Sequence, residues 1–239
     1  MRKSLALLAL TAAFIASVPA QAAVTLNLLS FGTNVPAVVP GQVLETFDSR
    51  TAGSFADFTN GALDFSSKGA KVENGSLAGQ YAAPYFQGGA DTSNYLSVFG
   101  NTTETVKINN GSLGTYFGLY IGSLDTYNSI SFYKNNALIG TFGGNDITGL
   151  IASLPANLTS PSSNRYVEFN FDAASYFDTV VLSSGNQNSF EVDNIAVNFN
   201  TITPGVPEAS TWVMMVLGFM SVGLIGYRRR SGGPAFRLV

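Results

Sequence analysis

Between residues 24 and 200 the side chains able to do polar chemistry are fourteen carboxylates, nine tyrosines and six cations, and the whole chain has no histidine and no cysteine. Thiol nucleophiles, disulfides, Cys/His zinc sites and histidine general bases are thereby excluded. Oxygen ligands are plentiful, and a hard cation such as calcium needs nothing else. Glu45 and Asp48 on the first strand of the body and Asp193 on the last are the candidate calcium set, since first and last strands of a sandwich are often neighbours. The plainer alternative is that these acids are solvated or bonded to turns. No D-x-D-x-D-G loop occurs, which excludes an EF-hand, and Gly143-Gly144-Asn145-Asp146 reads as a turn.

A second candidate is a sugar-binding edge. Tyr81, Tyr85 and Tyr95 sit in or next to a Gly-rich, Asn/Gln-bearing stretch over 80–94 that reads as a long loop. Aromatic faces with amide and carboxylate edges recognise sugars, although rings in such a loop also serve to cap a sandwich. For catalysis the pattern offers little. A glycosidase needs two carboxylates at a set separation, and fourteen acids single out no pair. A serine nucleophile would need a lysine base, from Lys68, Lys71, Lys107 or Lys134. Gly-x-Gly-x-x-Gly and P-loop patterns are absent. No catalytic residue is assigned, and the expectation is a non-enzyme. Asn74, Asn101, Asn110 and Asn157 head glycosylation-type triplets, as chance allows in a chain this rich in Asn, Ser and Thr. Six cations against fourteen carboxylates leave the body at −8, a charge that repels nucleic acid.

The elements that must position these groups read as strands. Residues 166–171 alternate, with Val167, Phe169 and Phe171 on one face. Segments 130–134 and 137–142 flank Asn135-Asn136, a pair that tolerates the left-handed turn of a tight hairpin. Further strands are expected at 25–31, 43–47, 62–65, 95–99, 105–108, 116–121, 179–182 and 190–199, with a helical turn over 145–154. In the last strand the apolar positions run 190, 192, then 195, 197, 199, a slip of phase at Asp193-Asn194 that predicts a β-bulge. Many short strands punctuated by Gly, Asn, Asp and Ser predict an all-β fold, an antiparallel β-sandwich or jelly roll over 23–200.

Both ends differ from this body. Arg2 and Lys3 precede 14 uncharged residues, 5–18, and then Ala20-Gln21-Ala22, which reads as a signal peptide over 1–22 cut by signal peptidase before Ala23. At the other end a linker over 201–210 leads into a segment over 211–230. Its 16 residues from Trp212 to Tyr227 carry no charge and run straight into Arg228, Arg229 and Arg230. As a helix that run is about 24 Å long, a marginal membrane span with aromatic rings at both ends. The arginines place the body outside and the tail, 231–239, in the cytoplasm.

Val206-Pro207-Glu208-Ala209-Ser210-Thr211-Trp212, the apolar run and the arginine cluster together resemble the PEP-CTERM sorting signal of Gram-negative bacteria over 206–230, in the variant whose motif continues to a tryptophan. Ala209 stands where the second proline of Pro-Glu-Pro would be, and the tail is longer than usual. The resemblance implies export, a transient inner-membrane anchor, cleavage near Pro207 and Glu208 by a membrane-embedded exosortase, and a final place at the cell surface or in the extracellular matrix, in association with exopolysaccharide. Tyr116-Phe117-Gly118-Leu119-Tyr120-Ile121-Gly122-Ser123, Asp125-Thr126-Tyr127-Asn128 and the last strand resemble a family of exosortase-dependent bacterial surface proteins. The ending Phe190-Glu191-Val192-Asp193-Asn194-Ile195 is similar, more distantly, to jelly-roll carbohydrate-binding modules, some of which hold a structural calcium. A sugar-binding module with calcium is therefore the alternative expectation, followed by a secreted glycoside hydrolase.

Overall fold

The computed structural model describes residues 24–30, 39–86, 88–122, 125–151, 164–200 and 213–220. The chain divides into two compact units, Met1–Asn200 and Thr201–Val239. In the first, the described elements are β1 (Val24–Leu28), β2 (Val43–Glu45), β3 (Phe58–Asn60), β4 (Leu63–Lys68), β5 (Lys71–Asn74), β6 (Tyr85–Phe86), β7 (Gly89–Ala90), β8 (Asn94–Val98), β9 (Thr103–Ile108), β10 (Leu113–Ile121), β11 (Ser129–Lys134), β12 (Ala137–Gly143), α1 (Gly144–Ile151), β13 (Arg165–Phe171), β14 (Thr179–Ser183) and β15 (Phe190–Asn200). One sheet has the order β1-β13-β10-β15-β8-β5, with β2 also on β15; the other runs β12-β11-β14-β9-β4-β3; β6 and β7 form a small hairpin apart. The strand ladders are antiparallel throughout.

The expected alternation of β13 holds. Val167, Phe169 and Phe171 join a core cluster with Phe132 and Val106 from the facing sheet. Phe132 lies at its centre, with ring centroids 5.5 Å from Phe117, 5.0 Å from Phe169, 4.8 Å from Phe171 and 5.3 Å from Phe177, mostly edge-on as ring quadrupoles prefer. The hairpin between β11 and β12 turns at Asn135 and Asn136, with φ of 51° and 64°, the left-handed pair that a two-residue turn requires. Packing shortens some expected strands. The strand expected over 43–47 stops at Glu45 because Phe47 turns into the left-handed region at φ 58°. The loop expected over 80–94 instead contains the β6–β7 hairpin. Strands β3 and β5 carry too few alternating residues to stand out in sequence.

One core position breaks the apolar rule. Glu104 on β9 is fully buried, paired across the ladder with Leu182 and Ser67, and its carboxylate oxygens have no hydrogen-bond partner. Burial first, and the charge of Asp57 second, push its pKa up to about 9. It therefore stays protonated through neutral pH.

The second unit is described only over 213–220, a helical run in which Val213, Met214, Met215, Val216, Leu217, Phe219 and Met220 are all exposed. Among the described residues no helix is long and apolar enough to cross a membrane. The signal-peptide positions Ala20, Ala22 and Ala23 lie outside the described residues, as do Val206, Pro207, Glu208, Trp212, Arg228, Arg229, Arg230 and the tail.

Because Glu104 binds its proton more tightly folded than unfolded, the unfolded state loses protons first as pH rises above about 4.5, and its contribution to stability declines up to about pH 9. Glu104→Gln is expected to flatten that decline and raise stability at pH 7 by on the order of 2 kcal/mol, measured by urea melts at pH 5, 7 and 9.

Candidate functional site

The site is built around β15, which has β10 on one flank and on the other is shared between β8, at residues 190–192, and β2, at 195–197. Along β10 the register passes from Gly118 opposite Ala196 to Tyr120 opposite Asp193, so Leu119 faces both Asn194 and Ile195. That is the bulge expected from the sequence, with Asn194 at φ 51°. It keeps Phe190 and Val192 before it, and Ile195 and Val197 after it, in the core. Glu191 and Asp193 point to the opposite face, yet both are buried, at 2 % exposure each.

Asp193 accepts from the Asn194 backbone N–H at 2.7 Å and from Asn194 Nδ2 at 3.0 Å. Burial pushes its pKa up to about 9 despite those bonds, with the charges of Asp91 and Asp48 adding to the rise. Asp91 Oδ1 takes Ser93 N and Oγ at 2.8 and 2.6 Å, while its buried Oδ2 has no hydrogen-bond partner among the described residues.

The calcium set expected from sequence is therefore only partly assembled. Glu45 lies opposite Ile195 as anticipated, but its carboxylate is bound to Arg50 Nη2 at 2.5 Å and to the Phe47 N–H at 2.7 Å. Arg50 in turn stacks 3.7 Å over the Phe58 ring. Glu45 thus holds the turn that sets Phe47 in its left-handed conformation. Asp48 acts on Asp193 through its charge, and Asp91, which sequence reasoning missed, does so more strongly. Among the described residues no group of three acidic side chains converges as a ligand set.

Glu191 borders a cleft of about 590 Å³ whose lining also includes Gln80, Tyr81, Asp125, Tyr127 and Asn188. Three segments distant in sequence build it. A tight turn joins Leu77 to Tyr81, with N–H to O bonds in both directions and Gly79 at φ 75°, where a side chain would be strained. It lifts the Tyr81 ring edge-on against Phe99, 6.1 Å between centroids. Tyr127 Oη lies 2.8 Å from Asp125 Oδ2 and 3.0 Å from the Asn188 carbonyl, and burial together with Asp125 holds its proton well above the usual phenol range. Glu191, on the face of β15 away from the core, accepts from the Ala82 N–H at 2.9 Å and from Ser189 Oγ.

Of the three tyrosines expected to form a ligand edge, only Tyr81 lines the cleft. Tyr85 sits on the hairpin, its N–H on Asn164 Oδ1 and its carbonyl on Tyr120 Oη, both at 2.8 Å. Tyr95 is fully buried with its hydroxyl on the Gly75 carbonyl at 2.6 Å, so it supports the loop from beneath. Tyr127 takes the vacant aromatic place; the Asp125-Thr126-Tyr127-Asn128 segment that stood out in sequence carries it. Ser131 and Lys134 have serine–lysine spacing, but three residues apart on β11 they face opposite sides of the sheet, and Ser131 Oγ is bonded to Thr141 Oγ1.

No family model and no curated protein matches the chain. Among solved structures, the K2 cleaved adhesin domain of Lys-gingipain is similar with a TM-score of 0.39 and 18% identity, over 66% of this chain and 99% of that one. At that TM-score nothing is carried from the adhesin domain to this chain.

Glu45→Ala is expected to destabilise the sandwich by about 3 kcal/mol, because it strands Arg50 and the Phe47 N–H together, with Glu45→Gln intermediate. Thermal melts of the two variants check this.

Proposed function

We propose that this chain is an exported, non-enzymatic surface or matrix protein that holds polysaccharide in the cleft between Tyr81 and Tyr127. The observation that carries the binding reading is the lining itself: two tyrosine rings with the amides of Gln80 and Asn188 and the carboxylates of Asp125 and Glu191. Rings supply faces for the apolar side of a sugar, and the polar groups meet its hydroxyls. Location rests on the chain's ends. A signal peptide cut before Ala23 and a sorting signal over 206–230 would send the body outward, with exosortase cleaving near Pro207 and Glu208. The run of exposed apolar side chains over 213–220 fits a segment whose solvent is lipid.

A structural calcium is a second reading, favoured by Asp91 Oδ2, which is buried with no hydrogen-bond partner among the described residues. A divalent cation held by Asp91 and Asp193 would neutralise both acids. Glu45 is not part of this set. Calcium should then raise the melting temperature of the wild type and leave that of Asp91→Asn unmoved; equal behaviour of the two discards the ion.

A glycan array on the secreted protein tests the main reading, and Tyr81→Ala or Tyr127→Ala is expected to weaken the best ligand by roughly tenfold. Polysaccharide degraded on incubation would instead assign Asp125 and Glu191 to hydrolysis. Intact mass of the protein from the envelope reads both cleavages, and deletion of 206–230 is expected to change its destination.

A further inference from the structure

We infer that the cleft selects its ligand by charge, accepting amino-sugar units that carry an ammonium group and turning away uronate and sulfate units. This rests on the cleft being a glycan site. Its lining includes the carboxylate of Asp125 and, in the floor, the buried Glu191, whose Oε1 already takes the Ala82 N–H and Ser189 Oγ, and among the described residues no lysine or arginine lines it. The body has six cations to draw on: Arg50, Lys68, Lys71, Lys107, Lys134 and Arg165. Arg50 is bound to Glu45, Lys71 sits 5.4 Å from the Phe55 ring, Lys107 lines a separate concavity with Asp178 and Thr179, Lys68 and Lys134 end β4 and β11 in the facing sheet, and Arg165 is buried with Nη1 on the Asn164 carbonyl. The stretches of the body outside the described residues, 31–38, 87, 123–124 and 152–163, contain no charged residue at all, so none of them brings a cation to the cleft.

An acidic sugar would therefore place its charge beside Asp125 and over the buried Glu191, with no lysine or arginine among the described lining residues. The surrounding body, at −8, adds to the repulsion. A protonated amine in the same place gains charge-assisted hydrogen bonds, and the faces of Tyr81 and Tyr127 attract a cation as well. Neutral sugars fall between the two. The difference between an amino sugar and its neutral counterpart is expected to be at least about tenfold in affinity.

The test is calorimetric titration of the secreted protein with three probes of matched length: a glucosamine oligomer, its fully N-acetylated counterpart and an oligogalacturonate, at low and high salt. The expected result is tightest binding of the glucosamine oligomer, weaker binding of the acetylated one and none of the uronate, with the preference shrinking as salt rises. Asp125→Asn and Glu191→Gln, each shown to be folded by its melting curve, should bring the affinities of the first two probes together. Uronate binding as tight as the acetylated oligomer, or a preference untouched in both variants, overturns the charge selection and leaves glycan binding standing. If no probe and no glycan of the array binds, the glycan reading itself falls.

Discussion

A single residue of slippage in β15 organises this domain. The strand is sandwiched between β10 and the pair β8 and β2, and it is buried on both faces. With strict alternation, the apolar residues on one side of Asp193-Asn194 would have to face away from the core. Asn194 absorbs the extra residue in a left-handed conformation, which asparagine tolerates better than most side chains. One half of the strand then pairs with β8 and the other with β2, and both keep their apolar side chains in the same core. The acids left on the other face, Glu191 and Asp193, are directed to the region where the site lies.

What surrounds those two acids differs, and so does their chemistry. Glu191 receives a backbone N–H and a serine hydroxyl at the edge of an open cleft. Asp193, two residues further on, is pushed to hold a proton by loss of water and by the charges of Asp91 and Asp48. On the facing sheet Glu104 is treated in the same way by the core itself. The domain therefore carries buried acids on both sheets whose neutral form is the folded form. A chain with only 11% charged residues and no histidine places part of its pH response in carboxyls shifted far from their usual range.

The cleft shows how such a low-charge β-protein makes a polar site. It uses no regular element for its walls: a glycine-dependent turn brings Tyr81, a turn after β10 brings Tyr127, and the segment before β15 brings Asn188. The sheet supplies the rigid floor through Glu191. Gly122 is part of that arrangement, because a side chain there would meet Glu191 Cβ at 2.9 Å and Pro84 at 3.2 Å. Loops carrying recognition groups over a packed sheet can vary their side chains without disturbing the core.

Local pattern alone determined much of this protein: the alternation of β13, the turn at Asn135-Asn136, the slip at Asp193-Asn194, the short helix after β12, and two ends whose apolar runs differ from the body. Each depends on neighbours in sequence, through the two-residue pleat or a turn's φ requirement, so a linear reading can find it. Tertiary structure alone decided which polar groups meet. It placed Glu45 on Arg50 and set Asp91 against Asp193. It sank Tyr95 beneath the loop and brought Tyr127 to the cleft beside Tyr81. A carboxylate's partner and a ring's exposure follow from register between strands far apart in the chain and from the water that packing excludes, and spacing along the sequence records neither.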